Sequence, residues 1–561
     1  MIVSSQFVSP FQLPPLPFPQ EIRAWDQGAK AFGLPEMLLM ENAAKAAFDV
    51  IRRHCPDIAG KTIWLIMGSG NNGGDAACLA RYLLDAGARP LVLHTKALGQ
   101  LKGASGQHAK VAKASGVPFR RLRYQRDGWN LPNSSQPHII IDGLLGTGFR
   151  GSLRADVLAL VEAVNSLAVG RTVVSLDIPS GLDACTGNPM PTAVRAGLTI
   201  SFAAAKPGIV LPCAKEWTGT VHVCDIGIPA VIRVKERCSA YLLDAQCLSP
   251  LTRRSALPEN SFKNTFGHVL VLGGARGYGG AAHLAARAAL RTGAGLVTVA
   301  APATAVADIK CGWPEIMTLA LEDTEQCWPS SISPRLKSLI ESCTSLVVGP
   351  GMGRGQDGAE FLHALLALPR RPPIVFDADA LALLSYDPKL FAKVREEDIL
   401  TPHPGEAGML LGLTAQAVQA DRWAALENLC ARSCGVNVLK GAGTMVRQST
   451  SPILICPYDI PQLAVGGSGD VLAGCLGGLL ASRGEIVQKC SADLAWGCHP
   501  SLLTAGVGVA LHALAGRSLA QQWPLRGNTS AETADALPQV LHRVSENQED
   551  FFHGPDSTFQ S

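Results

Sequence analysis

Residues 63–75 read IWLIMGSGNNGGD, an apolar run followed by a glycine-rich turn. The run is typical of a buried parallel strand, and residues 76–86 after the turn have a helical pattern. The same order starts again at residues 268–272, which are followed by GGARGYGG, a helix at 281–292 and a strand at 295–300. Strand, glycine-rich turn and helix in alternation build parallel sheets with helical crossovers. The sequence therefore predicts an α/β protein with two such halves.

Further apolar runs predict the other strands, and two apolar segments predict helices near residue 470 and at 504–515. The strands lie at residues 90–94, 138–141, 172–176, 198–202, 345–348, 373–376, 436–439 and 453–456. Residues 226–260 are irregular and contain three prolines, which places the domain boundary near residue 240. We expect a proline-rich extension at 1–20, domains at 21–240 and 241–535, and a polar tail at 536–561.

Composition favours an enzyme. Lys+Arg total 49 and Asp+Glu total 46, so the net charge of +3 gives no basic field for nucleic acid. The 16 cysteines include no CxxC pair, which favours reduced thiols, and residues 1–20 lack the basic start of a signal peptide. No charge-free apolar stretch of about 18 or more residues runs without glycine or proline, so we expect no membrane-spanning segment. We expect a cytoplasmic homo-oligomer with small-molecule substrates and no nucleic-acid or membrane partner.

The first glycine-rich turn, GSGNNG at 68–73, matches a phosphate-binding loop. An ordinary dinucleotide domain carries an acidic residue at the end of the next strand, but residues 94–96 read HTK. This disfavours an NAD-dependent dehydrogenase. Asn71, Asn72 and Asp75 also supply more oxygen ligands than a phosphate loop needs.

Two acidic loops follow later strands, starting at Asp142 and Asp177. The carboxyl ends of parallel strands converge on one crevice, so Asn72, Asp142 and Ser180 can offer hard oxygens to a cation. Each of these residues alone also fits a turn or helix cap.

The motifs NNGGD, DGLLGTGFRG, LDIPSGLDACTG, FAAAKPG and DIGIP, in this order over about residues 20–235, resemble NAD(P)H-hydrate epimerase domains. The resemblance implies a Rossmann-like three-layer αβα fold and a potassium site at Asn72, Asp142 and Ser180. Asp177 is our candidate for proton transfer. The implied hydrate-binding surface consists of Asn71, Asn72, Gly73, Gly74, Asp75, Gly146, Thr147, Gly148, Phe149, Arg150, Gly151, Ser152 and Asp177.

In the second half, residues 464–474 read AVGGSGDVLAG. Clustered glycines before a helix expose backbone N–H groups to a phosphoryl group, and Asp470 is placed to take a proton from a hydroxyl. An Asp N-cap is the alternative interpretation. KGAGT at 440–444 lacks the order of a Walker loop, so it is either a nucleotide cradle or a hairpin with an exposed lysine.

Three more segments carry polar candidates. His403 lies between two prolines that fix its loop, although a lone histidine is often structural. GPGMG at 349–353 adds a glycine-rich turn. Asp377 and Asp379 are magnesium candidates, and helix capping explains them nearly as well.

The motifs VVGPGMG, FDADAL, TPHPGEA, KGAGT, GGSGDVLAG and HALAG, over about residues 250–520, resemble the ribokinase-like NAD(P)H-hydrate dehydratases. The resemblance implies a ribokinase-like αβα domain. Residues implied to face the hydrate are Ala281, Gly353, His403 and Asp470, and those implied to face the nucleotide are Lys440, Gly441, Ala442, Gly443, Thr444 and Gly469.

Together the two resemblances imply a bifunctional repair enzyme for NADH and NADPH hydrates. The first domain would interconvert the R and S epimers, with potassium bound. The second would dehydrate the S epimer with ADP, releasing AMP and phosphate, with magnesium bound and ATP left open as donor. Two alternatives remain: a kinase for a small alcohol in the second half, and a non-catalytic binding module in the first.

Overall fold

The computed structural model describes residues 13–125, 128–132, 136–243, 245–252, 260–321, 328–482, 499–547 and 559–560. The chain folds as two compact units. Unit 1 contains Pro14–Ala240 together with residues 559–560, and unit 2 contains the described residues from 241 to 547.

The strands of unit 1 are β1 (Thr62–Met67), β2 (Arg89–His94), β3 (Phe119–Arg121), β4 (Tyr124–Gln125), β5 (Gly128–Trp129), β6 (Ile139–Gly143), β7 (Thr172–Leu176), β8 (Leu198–Phe202), β9 (Thr220–Cys224) and β20 (Phe559–Gln560). Eight of them form one parallel sheet in the order β20-β9-β8-β7-β6-β1-β2-β3, and β4 and β5 pair separately as an antiparallel ribbon. Central strands such as β6 are buried along their whole length, as expected when helices cover both faces of a sheet.

The helices of unit 1 connect these strands. They are α1 (Pro19–Ala31), α2 (Glu36–His54), α3 (Asn71–Asp85), α4 (Gly103–Ala114), α5 (Ala155–Leu167), α6 (Pro207–Val210), α7 (Lys215–Thr218) and α8 (Ala230–Lys235). A core cluster that includes Trp64, Ile140 and Val173 fills one side of the sheet.

The strands of unit 2 are β10 (Ala240–Leu242), β11 (His268–Leu272), β12 (Leu296–Pro302), β13 (Met317–Leu321), β14 (Ser345–Val348), β15 (Ile374–Phe376), β16 (Ile399–Leu400), β17 (Val436–Leu439), β18 (Met445–Gln448) and β19 (Ile453–Ile455). Strand β10 begins at Ala240, the last residue of unit 1. The ten strands form one sheet in the order β10-β19-β18-β17-β16-β15-β14-β11-β12-β13. The predicted parallel pairing holds from β13 to β17, whereas β18 runs antiparallel to both β17 and β19. A turn of five residues can join only antiparallel neighbours, which explains the departure.

The helices of unit 2 include one, α20, that is long and apolar enough to span a membrane by length and composition. In its most apolar window 89% of the residues are buried in the protein, which is the pattern of a core helix. The helices are α9 (Ala245–Thr252), α10 (Gly279–Arg291), α11 (Val306–Lys310), α12 (Pro334–Ser342), α13 (Gln356–Leu366), α14 (Asp379–Tyr386), α15 (Pro388–Phe391), α16 (Pro404–Leu411), α17 (Ala415–Ala420), α18 (Arg422–Arg432), α19 (Ser468–Ala481), α20 (Ser501–Gln522) and α21 (Ser530–Ser545).

Helix α3 starts at Asn71, five residues before the predicted start at 76, so NNGGD forms its first turn. Glycine is a poor helix former, but neighbouring atoms lie too close to this turn for a larger residue. A Cβ at Gly73 would lie 2.2 Å from the carbonyl oxygen of Gly68, and one at Gly74 would lie 2.6 Å from the sulfur of Met40.

Both predicted terminal segments were too long. Helix α1 begins at Pro19, and the backbone N–H of Leu16 donates to the carbonyl of Ala240, so part of the predicted extension is packed. Helix α21 continues past residue 535 to Ser545, with Leu537 and Val540 buried. An apolar stripe at helical spacing explains why this stretch is not a tail.

Candidate active sites

Asp177 follows β7 at the carboxyl edge of the unit 1 sheet, with φ +64°, which non-glycine residues rarely adopt. Its Oδ1 accepts a hydrogen bond from the ammonium of Lys206, and its Oδ2 accepts one from the backbone N–H of Thr147 at 3.0 Å. Lys206 is 1% exposed and also donates to the Ser201 hydroxyl and the Phe202 carbonyl. The carboxylate expected to transfer a proton is therefore held at both oxygens on a strained backbone.

Other acidic side chains surround Asp177. Burial, followed by the charge of Asp177, raises the pKa of Asp75 well above its ordinary value. Desolvation and the same charge raise the pKa of Asp26 to about 6. Asn71 donates to Oε1 of Glu36 at 2.7 Å. The site thus combines an ion-paired carboxylate with a carboxyl group, Asp75, whose protonated form is favoured.

Asp142, at the end of β6, is 1% exposed. Among the described residues, its carboxylate accepts only from neutral groups: two backbone N–H groups and the hydroxyls of Ser175 and Ser180. Burial raises its pKa, and these hydrogen bonds oppose the rise. Asn72 donates to the carbonyl of Leu145 at 2.7 Å, whereas its buried Oδ1 has no hydrogen-bond partner among the described residues. The structure therefore brings together the three oxygen donors predicted for potassium.

The loop after β6 contacts Asp177 only at its start. A Cβ at Gly146 would lie 3.1 Å from Oδ2 of Asp177 and 3.2 Å from Cβ of Asn72, so a larger residue would require these two side chains to shift. Phe149 packs against the core cluster of the sheet. Of the predicted hydrate-binding residues, the exposed ones on this loop are Gly148, Arg150, Gly151 and Ser152.

Asp470 lies in the first turn of α19. The N-cap of α19 is Gly467, with φ +89°, so the interpretation of Asp470 as an N-cap is wrong. Burial raises the pKa of Asp470 to about 7, with a further rise from the charge of Asp377 and an opposing effect of Lys440. A Cβ at Gly469 would lie 3.3 Å from Nζ of Lys440. The group is therefore poised to accept a proton near neutral pH.

Residues 440–444 form the turn between the antiparallel strands β17 and β18. Lys440 points inward: its Nζ donates to Oδ1 of Asp377 at 2.7 Å and lies 3.7 Å from Oε2 of Glu406. The predicted hairpin is therefore present, but its lysine is not exposed to solvent as that alternative required. Arg422 donates to the carbonyls of Leu439, Lys440 and Gly443 and so braces the turn. Gly441 and Ala442 form its exposed tip, Gly443 is buried, and the hydroxyl of Thr444 donates to the carbonyl of Gly441.

His403 is the N-cap of α16. The ring Nδ1 of His403 accepts from the backbone N–H of Gly405 at 2.9 Å, and the backbone N–H of His403 donates to Oε2 of Glu406 at 2.8 Å. Burial and the charge of Lys440 lower the pKa of His403, whereas burial raises that of Glu406 to about 7 against the effect of Lys440. The ring is 54% exposed, so Nε2 of a fixed, neutral imidazole borders the site.

The glycine-rich turn after β14 packs on α10. A Cβ at Gly351 would lie 3.2 Å from Cβ of Ala281, so the turn carrying Gly353 lies beside the start of α10. Oδ2 of Asp379 accepts from the backbone N–H of Gly353 at 2.9 Å, and Oδ1 accepts from Arg354 at 2.8 Å. Asp379 therefore orders this turn.

Two family models match the chain. The model for the YjeF-related protein N-terminus matches residues 36–208, and that for NAD(P)H-hydrate dehydratase matches residues 269–539. A bifunctional NAD(P)H-hydrate repair enzyme of Coxiella burnetii is 35% identical over 508 residues, which cover 91% of this chain and 95% of the relative. The chain belongs to the bifunctional NAD(P)H-hydrate repair enzymes. The corresponding Escherichia coli protein is 33% identical over 488 residues, covering 86% and 88%.

Part of the chain is also similar to solved structures. The ADP/ATP-dependent NAD(P)H-hydrate dehydratase from Bacillus subtilis, co-crystallised with ATP and Mg²⁺, is 24% identical with a TM-score of 0.41, covering 53% of this chain and 96% of that chain. A ribokinase-like superfamily protein from Enterococcus faecalis is 25% identical with a TM-score of 0.46, covering 55% and 97%. The family matches confirm the predicted two-domain α/β fold and the enzymatic class.

In this repair enzyme, three residues that were not predicted from the sequence lie at the sites: Lys206, Asp26 and Arg422. Lys206 lies in the quoted motif FAAAKPG, where a lone lysine among small apolar residues was a usable signal. Asp26 and Arg422 lie on amphipathic helices, where a charged residue ordinarily faces solvent.

Proposed function

We propose that unit 1 interconverts the R and S epimers of NADH hydrate and NADPH hydrate, and that unit 2 converts the S epimer back to the reduced cofactor at the expense of ADP. One observation carries the proposal. Each unit has its own lysine–carboxylate cluster at the carboxyl edge of its sheet, with Asp177 and Lys206 in unit 1 and Asp470 and Lys440 in unit 2.

For epimerisation, the hydroxyl of the hydrate sits on a carbon bonded to the ring nitrogen, whose lone pair can expel it once it is protonated. Asp75 supplies that proton, because its raised pKa favours the protonated form. Water leaves and returns to either face of the resulting iminium carbon. Asp177, fixed by Lys206 and Thr147, takes the proton of the returning water, which passes back to Asp75 and completes the cycle.

For dehydration, Asp470 takes the hydroxyl proton while the hydroxyl oxygen bonds to the β-phosphorus of ADP and the bond to AMP breaks. The ring nitrogen then expels the phosphate, and loss of a proton from the neighbouring carbon to water restores the ring double bond. Backbone N–H groups at the start of α19 stabilise the charge on the transferring phosphoryl group, with Lys440 beside Gly469. With ATP, the γ-phosphorus would react in the same way and ADP would leave.

Potassium fits unit 1, because Asp142 accepts only from neutral donors and Oδ1 of Asn72 is buried without a partner among the described residues. The ion would supply positive charge between the loops of Asn72 and Ser180. Epimer exchange should therefore be faster in KCl than in NaCl of equal ionic strength. For magnesium the donors do not fit: Asp377 is paired with Lys440 and Asp379 with Arg354, so we place no magnesium on these carboxylates.

The test uses a mixture of R and S hydrates with ADP, followed by the absorbance of reduced nicotinamide and by AMP release. The intact chain should recover the whole mixture. Asp470→Asn should recover none but still exchange the epimers, and Asp177→Asn should recover only the S fraction. Asp308→Asn and Asp85→Asn, which change exposed aspartates in the same units, serve as matched controls.

Three outcomes would contradict the proposal. Recovery of reduced nicotinamide by Asp470→Asn would show that Asp470 is not the base. Loss of both activities in one variant would mean that the sites are not separate. Accumulation of a stable phosphorylated hydrate would favour a kinase instead.

A further inference from the structure

Helices α2, α3 and α4 of unit 1 bring together three potential metal ligands, Glu41, Cys78 and His108, whose ligand atoms lie within 4.8 Å of one another. Sγ of Cys78 is 3.3 Å from Oε2 of Glu41, and Nδ1 of His108 is 3.6 Å from the same oxygen. Zinc bonds of about 2.0 Å to nitrogen and oxygen and about 2.3 Å to sulfur place tetrahedral ligands roughly 3.3–3.6 Å apart. The separations measured from Glu41 match this spacing.

The histidine is oriented as a ligand. Its Nε2 lies 3.1 Å from the carbonyl oxygen of Met37, and a carbonyl can only accept, so Nε2 carries the proton. In the neutral ring the other nitrogen, Nδ1, has a lone pair that faces Oε2 of Glu41 at 3.6 Å, which is too far for a hydrogen bond, whereas a doubly protonated ring would form an ion pair with this carboxylate. The ring is 2% exposed. For the neutral ring, a buried lone pair facing a carboxylate is repulsive unless a cation lies between them, and a histidine held by its second nitrogen is the usual arrangement at metal sites.

The carboxylate of Glu41 is also held in place by hydrogen bonds to one of its two oxygens. Oε1 of Glu41 accepts from the guanidinium of Arg81 and the hydroxyl of Tyr82, which leaves Oε2 for Cys78 and His108. Because the Glu41 side chain is 31% exposed, water can reach a fourth position. Burial raises the pKa of Cys78, so its thiol holds a proton until a metal displaces it to solvent.

We propose that Glu41 Oε2, Cys78 Sγ and His108 Nδ1 bind one zinc ion, with water as the fourth ligand. Nitrogen and sulfur ligands together with one carboxylate favour zinc over magnesium or calcium. The ion would join α2 and α4 to α3, the helix whose first turn carries Asn72 and Asp75. Its role is structural, and it takes no part in proton transfer at Asp177.

The test replaces zinc by cobalt, which reports a thiolate ligand by a charge-transfer band in the near ultraviolet. Full-length protein treated with a chelator should bind one equivalent of Co²⁺ with this band, release one proton, and lose the band when Zn²⁺ is added. Cys78→Ser and His108→Gln should abolish the band. Cys55→Ser, at the end of α2 but outside the cluster, should leave it unchanged.

Thermal unfolding provides the second readout. Zn²⁺ should raise the Tm of the intact protein and of Cys55→Ser, but not that of Cys78→Ser or His108→Gln, with folding of each checked by circular dichroism. If either variant does not fold, titration of the intact protein decides. The absence of a thiolate band in the intact protein, or its persistence without Cys78, would overturn the proposal and leave a hydrogen-bonded cluster in which the Cys78 thiol donates to Glu41.

Discussion

Asp470 shares its surroundings with the carboxylates of Asp377 and Glu406 and one buried ammonium, Lys440. Burial destabilises the ionised form of Asp470, and the charges of Asp377, Asp379 and Glu406 add to this effect, whereas Lys440 opposes it. A pKa near 7 follows, which is useful for a base because the group is partly ionised and still basic at neutral pH. The ammonium is kept charged, since Asp377 and Glu406 raise its pKa despite burial.

The pH dependence of dehydration follows from this environment. Since the base must be ionised, kcat/KM for the S epimer should fall by about tenfold for each pH unit below about 7 and level off above it. Lys440→Met removes the charge that lowers the pKa of Asp470, so the acid limb should move to higher pH. Lys389→Met, which changes an exposed lysine of the same unit, should leave the limb in place. An acid limb unmoved by Lys440→Met would contradict the assignment.

The ion pair between Asp177 and Lys206 contributes to the stability of unit 1. Lys206→Met leaves a buried carboxylate without its cation, and we expect a loss of roughly 3 kcal/mol in the free energy of unfolding of unit 1. Asp177→Asn in the same chain should recover most of that loss, although epimerisation stays absent. Denaturant unfolding of the two single variants and the double variant measures the coupling, and strictly additive losses would contradict a buried ion pair.

Glycines in two helices test how packing overrides helix propensity. Gly73→Ala in α3 should destabilise unit 1, because a Cβ would lie 2.2 Å from the carbonyl oxygen of Gly68. Gly280→Ala in α10 should stabilise unit 2 by up to about 1 kcal/mol, since no atom lies within 4 Å of the added Cβ. Denaturant unfolding measures both. Stabilisation by Gly73→Ala would show that the helix start does not depend on this close contact.

The elements that the sequence predicted well are those whose pattern is local. The apolar run at 172–176 is strand β7, and that at 436–439 is β17, each at the predicted bounds. The start of α3 was misplaced because glycine opposes a helix locally and only contacts with distant residues restore it. The antiparallel β18 was missed for a related reason, since pairing direction is a property of two strands and their turn.

In the sites, too, the features with a local sequence pattern were predicted, and those that depend on distant residues were not. Asp142, Ser180 and Asn72 were recognised from their loops, and the structure brings them together. The partners that set their chemistry lie far apart in the chain: Lys440 contacts Asp377 across 63 positions. A single sequence does not reveal which charged residues pair across such distances. The pairing with Asp377 is the reason why Lys440 points into the protein and not into solvent.

At the scale of the whole molecule, each unit carries a complete set of reacting groups, and the two sets share no residue. A mixture of the Asp177→Asn and Asp470→Asn proteins should therefore recover both epimers with ADP, although neither protein does so alone. The time course of reduced nicotinamide measures this complementation. Failure of the mixture, with both variants folded, would mean that the reactions depend on one intact chain.

If unit 2 phosphorylates the hydroxyl group before it leaves, the oxygen of that group must stay with the phosphate. The most direct measurement uses S hydrate labelled with ¹⁸O at that hydroxyl, ADP, and the Asp177→Asn protein, in which epimerisation does not exchange the label with water. We expect the label in inorganic phosphate, since the hydroxyl oxygen bonds to phosphorus and stays there. Label released into water, with unlabelled phosphate, would contradict it.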